Sequence, residues 1–196
     1  MIPHDTGIMT STKLNSEKII QQKCSLLDGL LDVEKAMKVL SSVDSTKQEN
    51  VFDQHYAKLE REIKPLSKEN DKSGIYKAIE KSLKGTHCAT HDNYTLELEE
   101  VFELEKKKET KQFKPYKKKL EKNIQLLWHG SRMVNFAGIL SSGLRIAPPE
   151  APVTGYMFGK GLYFADCISK SANYCYHEKY DNTGFLMLCE VALGEF

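Results

Sequence analysis

A histidine, a glycine and a serine follow one another at residues 129–131, and further serine and tyrosine residues come later in the chain. The neutral imidazole of His129 offers one hydrogen-bond donor and one acceptor on a rigid ring. Gly130 lacks a Cβ, so its backbone could approach a flat amide closely, and the Ser171 hydroxyl could complete that contact. The rings of Tyr163 and Tyr174 could stack on a planar heterocycle. These residue types predict part of an active site.

Four segments in a fixed order carry a resemblance to a known family: LWHGSR at 127–132, GLRIAPPEAP at 143–152, GYMFGKG at 155–161 and SKSANY at 169–174. Together they resemble the poly(ADP-ribose) polymerases, and most closely the DNA-dependent members. The segments DQHY at 53–56 and NTG at 182–184 are similar to the shorter, second paralogue of that group. Taken singly, a His-Gly-Ser turn, a tyrosine or a proline-rich loop is more often structural than ligand-binding. Their co-occurrence at matching spacing favours an NAD pocket.

The resemblance implies an NAD-dependent protein ADP-ribosyltransferase, a glycosyltransferase that acts in nuclear DNA-damage signalling. Such an enzyme cleaves the bond between nicotinamide and ribose and transfers ADP-ribose to protein acceptors, so NAD is consumed as a substrate. The site must clamp the nicotinamide amide, hold its ring and stabilise positive charge on the ribose. The alternative, from another class, is a catalytically inactive, truncated protein that binds NAD or a partner protein.

The same resemblance assigns roles to residues of this sequence. His129 is expected to bind the adenosine ribose and, with Tyr163, to be the catalytic pair present in the chain. Gly130 and Ser171 are expected to clamp the amide, and Tyr174 to stack in parallel on the nicotinamide ring, which Tyr163 also borders. The remaining predicted NAD-binding residues line the adenosine end or belong to a donor loop at 147–159: Ser131, Gly138, Arg145 and Tyr156.

The segments that must position these residues predict an α+β fold. Apolar residues at helical spacing indicate one helical hairpin or two consecutive helices over 16–40, with Gly29 as a potential break. The polar segment 41–50 predicts a linker. Beyond it, strands are predicted at 58–66, 94–104, 125–128 and 185–193, and helices at 74–83, 134–140 and 169–175.

The resemblance divides the chain at the linker. It identifies residues 1–45 as the end of an all-α regulatory subdomain that hinders NAD entry until DNA binding loosens it. Residues 46–196 then form the first half of a catalytic domain with a mixed or antiparallel sheet. The catalytic glutamate is expected on a strand after 185–193, so the chain resembles a fragment cut at both ends. It is expected to be inactive alone and to meet DNA only through regions missing from it.

Charge and hydropathy exclude several other classes. The chain has 28 basic and 27 acidic residues and a net charge of +1, which argues against global electrostatic capture of nucleic acid. No apolar run approaches the ~20 residues that a membrane-spanning helix needs. The lysine-rich segment 106–119 is interpreted as a solvated helix face, with an acidic partner such as nucleic acid or poly(ADP-ribose) as the alternative.

Five cysteines without a CxxC pair predict thiols in a reducing compartment, and a disulfide framework is not expected. His87, Cys88 and His91 are three potential metal ligands within five residues. No second cluster of cysteine or histidine in the sequence completes a tetrahedral site, so no metal is predicted.

Overall fold

The computed structural model describes residues 16–41, 50–91, 93–120, 123–146, 157–176 and 182–194. Helices and strands alternate along these ranges. The helices are α1 (Glu17–Ser41), α2 (Val51–Leu59), α3 (Ile75–Gly85), α4 (Lys107–Lys119), α5 (Met133–Ser142) and α6 (Ile168–Ala172). The strands are β1 (Glu62–Leu66), β2 (Val101–Glu105), β3 (Ile124–Gly130) and β4 (Leu186–Ala192).

Two antiparallel strand pairs form the sheet part of the described chain. β1 pairs with β2 from Glu62 opposite Glu105 to Leu66 opposite Val101. β3 pairs with β4 from Ile124 opposite Ala192 to Gly130 opposite Leu186. The predicted α+β class is confirmed. The predicted strand at 94–104 is too long, because regular pairing begins only at Val101.

Helix α1 runs unbroken for 25 residues, so the expected hairpin or break at Gly29 is wrong. Helix α1 packs against α5. A Cβ at Gly29 would lie 3.1 Å from Nη1 of Arg132, so the glycine lets α1 approach the segment that follows β3. Gly29 therefore serves close packing, although glycine in a helix interior costs about 1 kcal/mol relative to alanine.

The predicted strand at 58–66 begins too early, because helix α2 occupies its first residues. The Asn50 side chain accepts a hydrogen bond from Phe52 N at 2.9 Å and so caps the helix, which ends at Leu59 and is followed by Glu60 with φ of 49°. Asn50 belongs to the predicted linker, of which residues 42–49 lie outside the described ranges. The cap supplies an acceptor for an N–H group that a helix start leaves unpaired.

A small apolar core lies directly beneath the end of β3. Trp128 and Ile168 are 5% and 1% exposed, and Ile79 of α3 joins them. The backbone of Trp128 also exchanges hydrogen bonds with Ala165 at 2.7 and 2.9 Å. Burial of each large apolar side chain contributes about 1.5–3 kcal/mol. Trp128, which directly precedes His129, is firmly packed in this core, and it therefore fixes the position of His129 and Gly130.

The Arg61 guanidinium connects three elements and fixes the far end of α5. Its Nη2 lies 2.8 and 3.0 Å from the two carboxylate oxygens of Glu109 in α4, and its Nε donates to Leu140 O at 2.9 Å. The Arg61 side chain is 6% exposed, whereas that of Glu109 is 42% exposed. Lys106 Nζ donates to Ser141 O at 2.5 Å and strengthens the same junction.

The lysine-rich segment forms helix α4, as expected for a solvated helix face. Lys107, Lys111, Lys114 and Lys118 are all exposed, while Phe113 is half-buried on the other side. Lys117 Nζ forms an ion pair with Glu190 of β4 at 2.6 Å. Among the described residues no helix combines the length and apolarity that crossing a membrane requires.

One cysteine pair departs from the expectation of free thiols. Cys88 and Cys167 are joined by a disulfide across 79 residues, with their Cα atoms 6.4 Å apart. Spacing along the chain holds no information on this contact, because it depends on how the segment after α3 meets α6. Cys24, Cys175 and Cys189 are free.

Candidate active site

The imidazole of His129 is held at the end of β3 by the backbone of Tyr163. Its Nδ1 lies 2.9 Å from Tyr163 O, and its ring tilts against Phe164 with centroids 5.6 Å apart. A carbonyl oxygen only accepts hydrogen bonds, so Nδ1 carries the proton. In the neutral ring Nε2 then keeps its lone pair, which suits a hydroxyl donor such as that of a ribose.

Gly130 lies against the backbone of α6 more closely than any other residue type allows. A Cβ on Gly130 would lie 1.9 Å from Ser171 O and 3.2 Å from Leu186 Cδ2. Real Cβ atoms do not approach a carbonyl oxygen that closely. The structure therefore brings together the two residues predicted to clamp an amide, and it gives Gly130 a packing role beside the predicted one.

Ser171 and Tyr174 come to the same place from α6 and the turn after it. Ser171 is 4% exposed, and its hydroxyl donates to Trp128 O at 3.0 Å. Its oxygen keeps lone pairs that accept from an N–H group, such as that of a carboxamide. The Tyr174 N–H donates to Ser171 O at 3.0 Å, while the Tyr174 side chain is 56% exposed. The Tyr174 ring is thus anchored through its backbone and open for stacking.

Tyr163 ties the segment at 157–161 to the end of β3. Its hydroxyl donates to Gly159 O at 2.5 Å and accepts from Phe158 N at 3.2 Å. Its own carbonyl orients His129. Tyr163 is 40% exposed, so its ring is partly open to solvent.

The residues predicted at the adenosine end each have different surroundings in the structure. The Ser131 hydroxyl accepts from Asn135 Nδ2 at 2.9 Å, a contact that the sequence did not indicate. Gly138 lies within α5, where a Cβ would meet nothing within 4 Å, and Arg145 is exposed after that helix. Tyr156 and residues 147–155 of the predicted donor loop lie outside the described ranges. The roles of these residues remain predictions.

Ser169 is the main polar residue near the site that sequence reasoning missed. It is fully buried, and its hydroxyl accepts from Cys88 N at 2.8 Å and lies 2.8 Å from His91 Nδ1. The only available signal was its place two residues before Ser171 in the segment SKSANY. The contact partners of Ser169 come from residues 88–91, which the motif does not include.

The thiols around the site are poor nucleophiles. Burial raises the pKa of Cys175, although the Ser131 backbone N–H partly opposes the shift. Burial also raises the pKa of Cys189 in β4 to about 11. Both thiols are protonated at neutral pH, and the thiolate is the reactive form. The described site thus favours ligand positioning by hydrogen bonds and rings over thiol chemistry.

Two open clefts lie away from these residues. One, of about 380 Å³, is lined by charged side chains at the β1–β2 end, and the other, of about 530 Å³, runs beside Pro65 and Phe102. Neither is lined by any residue of the predicted site. The first cleft, lined by charged side chains alone, lacks the apolar walls that a buried nicotinamide ring needs.

Two family models match this chain. The model described as poly(ADP-ribose) polymerase catalytic domain matches residues 73–196. The model described as poly(ADP-ribose) polymerase, regulatory domain, matches residues 1–56. The two matches follow the predicted order of a helical part and a catalytic part, while the boundary at residue 45 remains a prediction.

Relatives from distant animals match along the whole chain. A poly(ADP-ribose) polymerase of Sarcophaga peregrina is 46% identical over 195 residues, which are 100% of this chain and 19% of the relative. Poly(ADP-ribose) polymerase 1 of Gallus gallus is 49% identical over 194 residues, 99% of this chain and 19% of the relative. Poly(ADP-ribose) polymerase 2 of Homo sapiens is also 49% identical over 194 residues, 99% of this chain and 32% of the relative.

The equal identities to types 1 and 2 leave the closer likeness to the second paralogue a prediction. The chain spans about a fifth to a third of the length of these relatives. The catalytic-domain match covers more than half of the chain and includes every residue of the described clamp. This chain belongs to the poly(ADP-ribose) polymerase family.

Proposed function

We propose that this chain provides the NAD-binding part of an ADP-ribosyltransferase that cleaves NAD and modifies protein acceptors in the nucleus. The observation that carries the proposal is the contact between Gly130 and Ser171, with Tyr174 one turn further on, where its N–H donates to Ser171 O and its side chain is 56% exposed. Backbone groups, a hydroxyl and an aromatic face are the kinds of group that bind a flat amide.

The nicotinamide end of NAD is assigned to this contact. The place of a Gly130 side chain is filled by Ser171 O, so the groups assigned to the amide are the backbone N–H and C=O of Gly130. The Ser171 hydroxyl oxygen has a lone pair for the amide N–H₂. Stacking on Tyr174 adds roughly 0.5–1.5 kcal/mol beyond the area that is buried. A carboxylic acid has no N–H₂ group to donate, so the clamp discriminates the amide from the acid.

The adenosine ribose is assigned to His129. Its Nδ1 proton is directed at Tyr163 O, so Nε2 is the atom left to accept from a ribose hydroxyl. His129 thereby positions NAD and transfers no proton itself. Tyr163 supports both ends, since its carbonyl orients the imidazole while its partly exposed ring borders the nicotinamide side.

A chimaera tests these two assignments, with this chain replacing the matching segment of human poly(ADP-ribose) polymerase 2. We expect His129→Ala to raise the KM for NAD about tenfold or more, because the variant loses one neutral hydrogen bond that positions the ribose. Inhibition by benzamide should stay unchanged in that variant. Tyr163→Ala should weaken benzamide inhibition as well. Unchanged KM and kcat in His129→Ala would show that the ribose assignment is wrong.

Helix α1 is proposed as part of a gate over this site. It packs on α5 and comes close to Arg132, whose guanidinium lies 4.7 Å over the Tyr176 ring. Movement of α1 would therefore change the contacts of Arg132, which lies two residues after Gly130. In the chimaera, Gly29→Trp should push α1 away and raise DNA-independent activity several-fold, whereas Lys23→Trp at an exposed position of the same helix should not. Equal basal activity in both variants would contradict the gate.

A further inference from the structure

The Cys88–Cys167 pair joins a surface segment to the start of the helix that carries the clamp. Cys88 follows α3, and Cys167 directly precedes α6. Their Cα separation of 6.4 Å is within the range that disulfides span. Both residues are half-buried, and Ala89 and Thr90 beside them are exposed. Small oxidants and reductants can reach the pair from this side.

A buried hydroxyl connects this pair to a base. The fully buried Ser169 Oγ lies 3.2 Å from Cys167 Sγ and 2.8 Å from His91 Nδ1. The Cys88 N–H donates to the same oxygen at 2.8 Å. A thiol proton can therefore pass from Cys167 through Ser169 to the imidazole. Such a path matters for thiol chemistry, because the thiolate is the attacking form.

The same segment leads directly into the nicotinamide clamp. Ile168 N lies 3.3 Å from Thr86 Oγ1, and Tyr94 Oη lies 2.8 Å from Ser169 O. Four residues after Cys167, the Ser171 carbonyl rests on Gly130. The disulfide is the only covalent tie described between residues 86–91 and α6, so its loss leaves the start of the helix held by hydrogen bonds alone.

We propose that the Cys88–Cys167 disulfide is reversible and that its redox state controls how firmly the clamp binds nicotinamide. The control of binding rests on the proposed function of the clamp. In the oxidised state α6 is ordered in advance, so a ligand need not order it on binding. We expect benzamide, a nicotinamide mimic, to bind roughly 3- to 10-fold more tightly to the oxidised chain.

The chemical step needs an oxidant of the peroxide class. The Cys167 thiolate attacks one peroxide oxygen, the O–O bond breaks, and the sulfur becomes a sulfenic acid as the first water leaves. The Cys88 thiolate then attacks that sulfur, the S–S bond forms, and the S–O bond breaks to release the second water. Two thiols have lost two electrons and two protons, and hydrogen peroxide has become two waters. Two glutathione thiols reverse the step by exchange.

A metal ion is the competing occupant of the same place. Ligand atoms of Cys88, His91 and Cys167 lie within 4.8 Å of one another. Zn²⁺ would require both thiols in the reduced state, and structural zinc sites use four protein ligands, of which the described residues of this cluster supply three. The three-ligand set favours the redox pair, and zinc binding is an outcome of the test.

The first experiment follows the pair in the full 196-residue chain across glutathione buffers of increasing oxidised fraction. Alkylation and peptide mass spectrometry should find Cys88 cross-linked to Cys167 on oxidation and free after reduction. The oxidised chain should melt roughly 10 °C higher, because the bond closes a long loop. Cys88→Ser and Cys167→Ser should lose this difference, and Cys24→Ser should keep it.

Two results of that experiment would overturn the inference. One is that both cysteines are alkylated in every buffer. The other is one equivalent of zinc bound to the reduced chain with no cross-link formed on oxidation. Ser169→Ala tests the proton path separately, and it should slow peroxide-driven cross-linking about tenfold or more while leaving the final cross-linked yield unchanged. An unchanged rate would contradict the path.

The second experiment measures benzamide binding by calorimetry to the oxidised and the reduced wild-type chain, with Cys88→Ser as the control. The expected result is tighter binding in the oxidised state, with no redox dependence in Cys88→Ser. Equal binding to the two states would overturn redox control while leaving the proposed function intact. Failure of benzamide to bind in either state would instead contradict the proposed function, and with it the control of binding.

Discussion

At the residue scale, replacing glycine by alanine is expected to have opposite effects on stability at two positions. Gly130→Ala places a methyl group 1.9 Å from Ser171 O, whereas Gly138→Ala meets nothing within 4 Å. We expect the first change to destabilise the chain by about 3 kcal/mol or more and to abolish benzamide binding. The second should stabilise α5 by up to about 1 kcal/mol. Chemical denaturation of both variants checks this, and equal effects would contradict the close α6 contact.

The buried thiol of Cys189 predicts a loss of stability at alkaline pH. Burial raises its pKa from an ordinary 9.0 to about 11. Below pH 9 the thiol is protonated in both the folded and the unfolded chain, so the shift has no effect. Between pH 9.0 and about 11 only the unfolded chain gains a thiolate, so the free energy of unfolding falls as pH rises.

We expect a loss of about 1–2 kcal/mol over that interval relative to Cys189→Ser, whose hydroxyl does not titrate there. The measurement is urea unfolding of both proteins under reducing conditions at pH 8 and pH 11. Parallel curves for the two proteins would show that the thiol is hydrated in the folded state.

Short sequence segments indicated which residues belong to the candidate site. Contacts between segments far apart in the sequence could not be predicted from it. The short segments placed Gly130, Ser171 and Tyr174 in one predicted site, and the structure puts Gly130 against Ser171 and bonds the Tyr174 N–H to Ser171 O. Their binding roles stay predictions. The Cys88–Cys167 bond and the Ser169 hydroxyl were missed, because their partners come from a segment with no recognisable motif. The protonation of His129 also needed the structure, since the carbonyl of Tyr163 determines which nitrogen carries the proton.

At the element scale, Arg61, directly before β1, holds that strand to α4 through its ion pair with Glu109 and to α5 through Leu140 O. Glu109 is far more exposed than Arg61, so its removal leaves a buried guanidinium without its carboxylate. We expect Glu109→Ala to cost about 2–3 kcal/mol, more than a half-exposed glutamate usually does. The double variant Arg61→Met with Glu109→Ala should recover much of the loss. Denaturation of the single and double variants checks this, and a cost below about 0.5 kcal/mol for Glu109→Ala would contradict it.

The elements differed in how clearly the sequence indicated them. Helix α3 was predicted, and the structure shows that Ile75, Ile79 and Leu83 recur every four residues along it, with Ile79 in the core. Helix α2 was missed, since it has no buried residue and depends on the Asn50 cap and its contact with α5. Periodicity reveals helices that bury one face, whereas short helices held by a cap and a neighbour leave a weaker pattern.

At the scale of the whole molecule, helix α1 presents apolar side chains to solvent. Leu26, Leu27, Leu30, Leu31 and Met37 are each about half exposed, at 49–59%. Contiguous apolar surface of this kind promotes association. We expect the mass of the chain to rise with concentration in light scattering, and Leu27→Lys with Leu30→Lys to keep it monomeric. Met157→Lys, at a position 82% exposed and outside α1, is the control and should leave the mass unchanged.

The central claim is that Gly130, Ser171 and Tyr174 form an amide clamp for nicotinamide. The most direct test is calorimetric titration of the oxidised 196-residue chain with benzamide and with benzoate, which differ only in the group that the clamp would bind. We expect benzamide to bind and benzoate to bind at least tenfold more weakly, because the acid lacks the N–H₂ donor. Tyr174→Ala, at an exposed ring, should weaken benzamide binding without unfolding the chain. Equal binding of the two ligands, or unchanged binding in Tyr174→Ala, would contradict the account.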